Sequence, residues 1–129
     1  RGQGFHNIAD NKLKVLAKQS ADFDRSKGLT VSENILQANP DVKAIFAQND
    51  EMALGAVSAA KAANKQIFII GFDGTDDGIK AVNDGSMAAT IAQQPDKMGE
   101  IGVETALKLA KGENVDKNTA VDLKLVEKK

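Results

Sequence analysis

Residues 66–71, QIFIIG, followed at once by Phe72, Asp73 and Gly74, decide the fold. A short run dominated by isoleucine and closed by a glycine-containing turn predicts a strand buried on both faces, as strands of parallel sheets are. Upstream, residues 43–47 (KAIFA) form a second apolar run of strand character. Between the two, Asn49-Asp50 opens a helix with Met52, Leu54, Val57 and Ala60 at helical spacing, and Asn64 is suited to end it.

The same alternation extends outward in both directions. Residues 13–19 (LKVLAKQ) read as a strand, Asp24 as the N-cap of a helix through Val31, Ile35 and Leu36, and Asn39-Pro40 as its stop. Residues 3–10 read as the end of a helix. Downstream, the stretch from Gly74 to Asp77 leads into a helix near residues 78–83, and residues 87–92 (MAATIA) read as a strand because Thr90 and Ile91 are β-branched. Pro95 suits the first turn of a helix running to about Lys111, Gly112-Glu113 ends it, and residues 119–126 (TAVDLKLV) alternate as an edge strand does. Strand, helix, strand, helix predicts a parallel sheet covered by helices on both faces, so the expected fold class is α/β, doubly wound.

Composition narrows the function. A chain of 129 residues is enough for one domain with a core. The net charge is −1 and the lysines are scattered, which argues against nucleic acid or anionic lipid as a partner. No apolar stretch is long enough to span a bilayer, so direct membrane insertion is not expected. Cysteine is absent and His6 is the only histidine, which removes thiol nucleophiles and leaves little for zinc sites or triad chemistry; no cofactor, no metal and no enzymatic activity are expected. Asp73, Thr75, Asp77 and Asp84 partly match a calcium loop, but that motif needs a helix before it, where a strand is predicted, and Lys80 is poor company for a cation. Gly2-Gln3-Gly4 lacks the third glycine and the preceding strand of a dinucleotide fingerprint, which argues against a Rossmann-type enzyme. Opening on Arg1 with no capping residue, the sequence reads as beginning inside a longer chain.

In open parallel sheets ligands bind beyond the carboxyl ends of the strands, where loops and helix N-termini converge. Just past the four predicted strands lie Phe23, Asn49, Asp73 and Gln93. A carboxylate accepts from adjacent hydroxyls, amides both donate and accept, and an aromatic face packs on C–H groups, so this set suits a neutral polyhydroxylated ligand. Taken singly, Phe23 also reads as a core residue, Asn49 as a helix N-cap, Asp73 as a turn residue and Gln93 as a solvated loop amide.

The stretches 21–25 (ADFDR), 46–55 (FAQNDEMALG), 71–74 (GFDG) and 89–93 (ATIAQ), in this order, resemble the bacterial periplasmic sugar-binding family. The likeness runs from Arg1 to the C-terminus. It implies two α/β lobes joined by hinge strands, with the sugar trapped between them. It also implies D-ribose or a related pentose as ligand, presentation to an ABC transporter permease and, in some species, to a chemotaxis receptor. The location implied is periplasmic, or lipoprotein-anchored outside the cell in a Gram-positive source. Carried over residue by residue, the family's sugar contacts fall on Arg1, Phe23, Asn49, Asp73 and Gln93, four of which the strand-end rule also selects. The resemblance further implies that residues 1–93 belong to the second lobe, that residues 94–118 return to a first lobe, and that residues 119–129 form a C-terminal strand. A sugar-responsive transcriptional repressor, whose effector-binding part shares this fold, is the competing reading.

Overall fold

The computed structural model describes residues 1–128; Lys129, the last residue of the segment expected to form the C-terminal strand, lies outside them. The elements in chain order are α1 (Gly2–Lys12), α2 (Arg25–Ala38), β1 (Ala44–Phe46), α3 (Asp50–Ala62), β2 (Phe68–Asp73), α4 (Asp76–Asp84), β3 (Ala89–Ala92), α5 (Pro95–Ala110) and β4 (Lys124–Glu127). Local chemistry sets the helix starts. Asp24, Asn49 and Thr75 each accept a backbone N–H of their own first turn, from Lys27, Met52 and Gly78 respectively, and Pro95 occupies the first turn of α5. Gly85 ends α4 in the left-handed region at φ 85°.

The strands form one sheet in the order β1-β2-β3-β4. The first three are parallel, with Phe46 opposite Ile70 and Gly71 opposite Thr90, whereas β4 closes the edge antiparallel, with Val126 opposite Thr90. Side chains alternate along a strand, and residues in register point to the same side. Ile69, Gly71 and Thr90 therefore share one face, and Phe46, Ile70 and Phe72 the other. On the first face lies α3, whose Asp50 and Ala53 crowd Gly71, and Ile69 there joins Leu36, Val57, Val82 and Met87 in the core. On the second face lies α1, because Phe5 stacks on Phe46 with ring centroids 5.1 Å apart and planes 9° from parallel. Helices thus cover both faces, which is the doubly wound arrangement expected.

One predicted strand does not form. Residues 13–19 are exposed, belong to no ladder and leave β1 as the sheet's edge among the described residues. A strand exists by pairing, and an apolar run alone cannot supply the partner. Smaller differences concern ends: β2 starts and finishes two residues later than the isoleucine run, and β4 occupies only the last part of the alternating stretch. The second face is covered only in part, for Phe68 and Leu125 are exposed, and so are Val103, Leu107 and Leu109 of α5, a helix with no buried residue. No helix among the described residues is long and apolar enough to cross a membrane.

The two helices α2 and α3 cross closely because glycines meet backbone there. A Cβ on Gly28 would meet the Met52 main chain at 2.8 Å, and one on Gly55 would collide with the main chain at Arg25. Alanine has the higher helix propensity by about 1 kcal/mol, but overpacking against an unyielding backbone costs about 1–3 kcal/mol. Gly55→Ala is therefore expected to lower stability in chemical denaturation. An unchanged or raised midpoint would show that the helices can part at no cost.

Candidate functional site

Because β1, β2 and β3 are parallel, their carboxyl ends share one edge, and α3, α4 and α5 begin there. Asp73 is the last residue of β2, and its φ of 117° lies in a region that favours glycine. The strand-end hydrogen bond from Gln93 N to Asp73 O, 3.0 Å, holds the two neighbouring loops together. Their side chains also meet, with Gln93 Nε2 donating to Asp73 Oδ1 at 2.6 Å. Arg1 reaches the same oxygen, Nη2 to Oδ1 2.9 Å, while its Nη1 donates to the Gln48 carbonyl at 2.8 Å. The guanidinium lies 4.1 Å above the Phe72 ring, a cation–π arrangement that fixes its plane. Both partners of this ion pair remain partly open to solvent, and Asp73 Oδ2 has no protein donor among the described residues.

Asn49 is buried, and its Oδ1 accepts from Met52 N at 3.0 Å, so the N-cap role is real. Its Nδ2 points to the Phe23 carbonyl at 3.4 Å, which leaves the second amide hydrogen uncommitted. Phe23 does not follow a sheet strand as expected, since residues 13–19 form none. It stands in a turn before α2, where Asp22 and Phe23 both adopt left-handed φ, 50° and 57°. The ring is 60% exposed, which sets aside its reading as a core residue. Lys27 and Ser20 anchor that turn through the Asp22 carboxylate, and hydrogen bonding to Lys27, then to Ser20, holds its pKa below the ordinary value.

Three of the five residues singled out in the sequence thus form one network along the carboxyl edge, with Arg1 and Gln93 both on Asp73, while Asn49 follows directly after the Gln48 whose carbonyl binds Arg1. Phe23 joins through its backbone. The edge carries an anionic acceptor, a guanidinium and an amide that are partly open to solvent, with a buried amide and an exposed aromatic ring beside them. That assortment can hold hydroxyl groups by directed hydrogen bonds. Arg25 links the helix starts just outside it, with a bidentate pair to Glu51 at 2.9 and 2.7 Å and a third contact to Asp77 at 2.9 Å. Those two carboxylates, Glu51 first, raise the Arg25 pKa further above its ordinary value. The described residues contain no cluster of three or more His, Asp or Glu side chains able to hold a metal ion.

Sequence reading missed Gln48 and Phe72, which orient Arg1, and the buried Asp50 with its partners Thr75 and Thr90. These act across 25 and 40 residues of chain, and no local spacing signals them.

The model of the periplasmic binding protein domain matches residues 1–114. The chain is 62% identical to the ribose import binding protein RbsB of Haemophilus influenzae over 98% of its own length and 44% of that protein. It is 53% identical to the ribose import binding protein RbsB of Bacillus subtilis over 100% of its length and 42% of that protein. Among solved structures, a periplasmic solute-binding protein of an ABC transporter from Actinobacillus succinogenes, with bound D-allose, superposes with a TM-score of 0.89 at 37% identity, covering 98% of this chain and 46% of that one. The chain therefore spans less than half the length of the relatives it matches.

The backbone at Asp73 makes a prediction about stability. Asp73→Ala and Asp73→Gly remove the same carboxylate and the same ion pair, but only glycine adopts φ 117° without strain. The glycine variant is expected to be the more stable by about 1–3 kcal/mol, the reverse of the usual order between these residues. Equal unfolding midpoints would mean that the backbone there carries no strain.

Proposed function

The chain belongs to the periplasmic binding protein domain family, and from that premise we propose that it supplies one side of a sugar-binding cleft in an ABC-type importer, with D-ribose or a related pentose as ligand. The observation that carries this reading is the Asp73 carboxylate at the carboxyl edge, held by Arg1 and Gln93 through one oxygen, with no donor to the other among the described residues. Asp73 accepts from sugar hydroxyls, Arg1 and Gln93 donate, Asn49 contributes its free amide hydrogen, and the exposed Phe23 ring packs on the C–H face of the sugar. The names borne by the relatives favour ribose over other neutral sugars.

A cleft needs a second wall. Residues 1–93 form the lobe that carries the edge, and the exposed apolar side chains of α5 favour a role for residues 94–118 in packing against a further lobe. Closure of two lobes over the sugar desolvates both its faces and creates the surface presented to the permease and, in species that have one, to a chemotaxis receptor. The location that goes with this role is the periplasm, or the outer surface of a Gram-positive cell by lipoprotein anchoring. The chemistry is binding without catalysis.

Two measurements test the reading. Asp73→Asn keeps the shape and removes the charge, and in the complete protein it is expected to weaken ribose binding roughly 10- to 100-fold in calorimetry, the range for a lost charged hydrogen bond. Unchanged affinity would remove Asp73 from the site. Residues 1–129 alone are expected to bind ribose far more weakly than the complete protein and to self-associate in sedimentation, because half a cleft leaves the sugar wet and α5 uncovered. Micromolar binding by a monomeric fragment would overturn the two-walled cleft.

A further inference from the structure

We propose that Asp50, which touches no ligand position, is the positioning residue that sets Asp73 and Gln93 at the right height beside Asn49. The inference rests on the sugar-binding reading of that edge. Asp50 is 0% exposed and occupies the first position of α3, where the helix N-terminus favours a carboxylate. Its Oδ2 accepts from both the backbone N–H and the hydroxyl of Thr75, at 2.8 and 3.0 Å, and its Oδ1 accepts from the Thr90 hydroxyl at 2.6 Å. All three donors are neutral, two from Thr75 ahead of α4 and one from Thr90 in β3. Thr75 stands two residues after Asp73 and caps α4, Thr90 stands three residues before Gln93 in β3, and Asn49 precedes Asp50 directly.

Space for this arrangement is reserved. A Cβ at Gly71 would strike Asp50 Oδ1, and one at Gly78 would strike Oδ2, so both glycines are cut to the carboxylate rather than to a turn. Thr90 is itself 0% exposed and stands opposite Gly71 in the ladder, on the face where Asp50 receives its hydroxyl. A buried carboxylate with three donors and no slack permits one relative placement of α3, the β2–α4 turn and β3. The 2.6 Å contact between Gln93 and Asp73 depends on that placement, because Asp73 ends β2 two residues before Thr75 and Gln93 follows β3 three residues after Thr90.

The test separates hydroxyl from volume at residue 90 in the complete protein. Thr90→Val keeps the shape and removes the donor, whereas Thr90→Ser keeps the donor and loses a methyl group. Ribose affinity by calorimetry is expected to fall about tenfold in the valine variant, because the charged hydrogen bond from the sugar to the mispositioned Asp73 is lost, and to stay at the wild-type level in the serine variant. Both variants are expected to melt earlier than wild type, so melting alone does not track the affinity. Wild-type affinity in both, or equal losses in both, would overturn the positioning role. If the wild-type protein binds no ribose, the sugar reading falls by itself, and the side-chain amide resonances of Gln93 then judge Asp50. They are expected to move in Thr90→Val and hold in Thr90→Ser, and their standing still in both would overturn the proposal.

Discussion

A carboxylate withdrawn from water must be fully hydrogen-bonded or it destabilises the fold by several kcal/mol. Asp50 meets that requirement with donors from Thr75 and Thr90, which lie 25 and 40 residues further along the chain. Much of the first face of the sheet is arranged around it. Gly71 and Gly78 leave room for it, and Ala53 and Met87 pack beside it over Gly71. Buried Val82 and Ile69 then close the core against α3 and α4. Because the Thr90 donor comes from β3, alternative registers of β3 against β2 lose that hydrogen bond as well as packing.

The carboxyl edge is built to a different standard. Arg1, Asp73 and Gln93 share one network that is partly open to solvent, and Asp73 and Phe23 both stand at positive φ. Strain of that kind persists where surrounding structure over-determines it, and it concentrates at sites with a task. Here the Gln93 N to Asp73 O hydrogen bond, the Asn49 cap and the Asp22–Lys27 contact supply the over-determination. A well-packed face and a strained edge thus sit on the same strands, separated by the alternation of side chains and by a few residues of length.

The other notable asymmetry is between the two faces. One is covered by α3 and α4, with α2 packed on α3, while the other meets α1 through Phe5 and Phe46 and leaves Phe68 and Leu125 exposed; the apolar residues of α5 are exposed as well. A helix of 16 residues with none buried derives little stability from this lobe. Its apolar side chains favour the proposed packing on a further lobe, in keeping with the share of its relatives that the chain spans.

Much of this was legible without coordinates wherever the determining interactions are short-range. Capping by Asp24 and Asn49, the stop at Asn39-Pro40, proline at the start of α5 and the isoleucine run of β2 are decided within a few residues, and they suffice for the α/β class and for the elements from α2 onward. The same locality explains why a rule about strand ends found Asn49, Asp73 and Gln93: once the strands are parallel, their last residues have one edge to occupy. Tertiary structure decided the rest. The stretch at 13–19 has a strand's composition and no ladder, since pairing is a property of two segments. Phe23 reached its exposed position through a left-handed turn and not from a strand. The convergence of Arg1 on Asp73, and the choice of Asp50 as the buried tie between Thr75 and Thr90, depend on groups brought together from 25 to 72 positions apart, because a polar group in the interior takes its partners from whatever the fold places beside it.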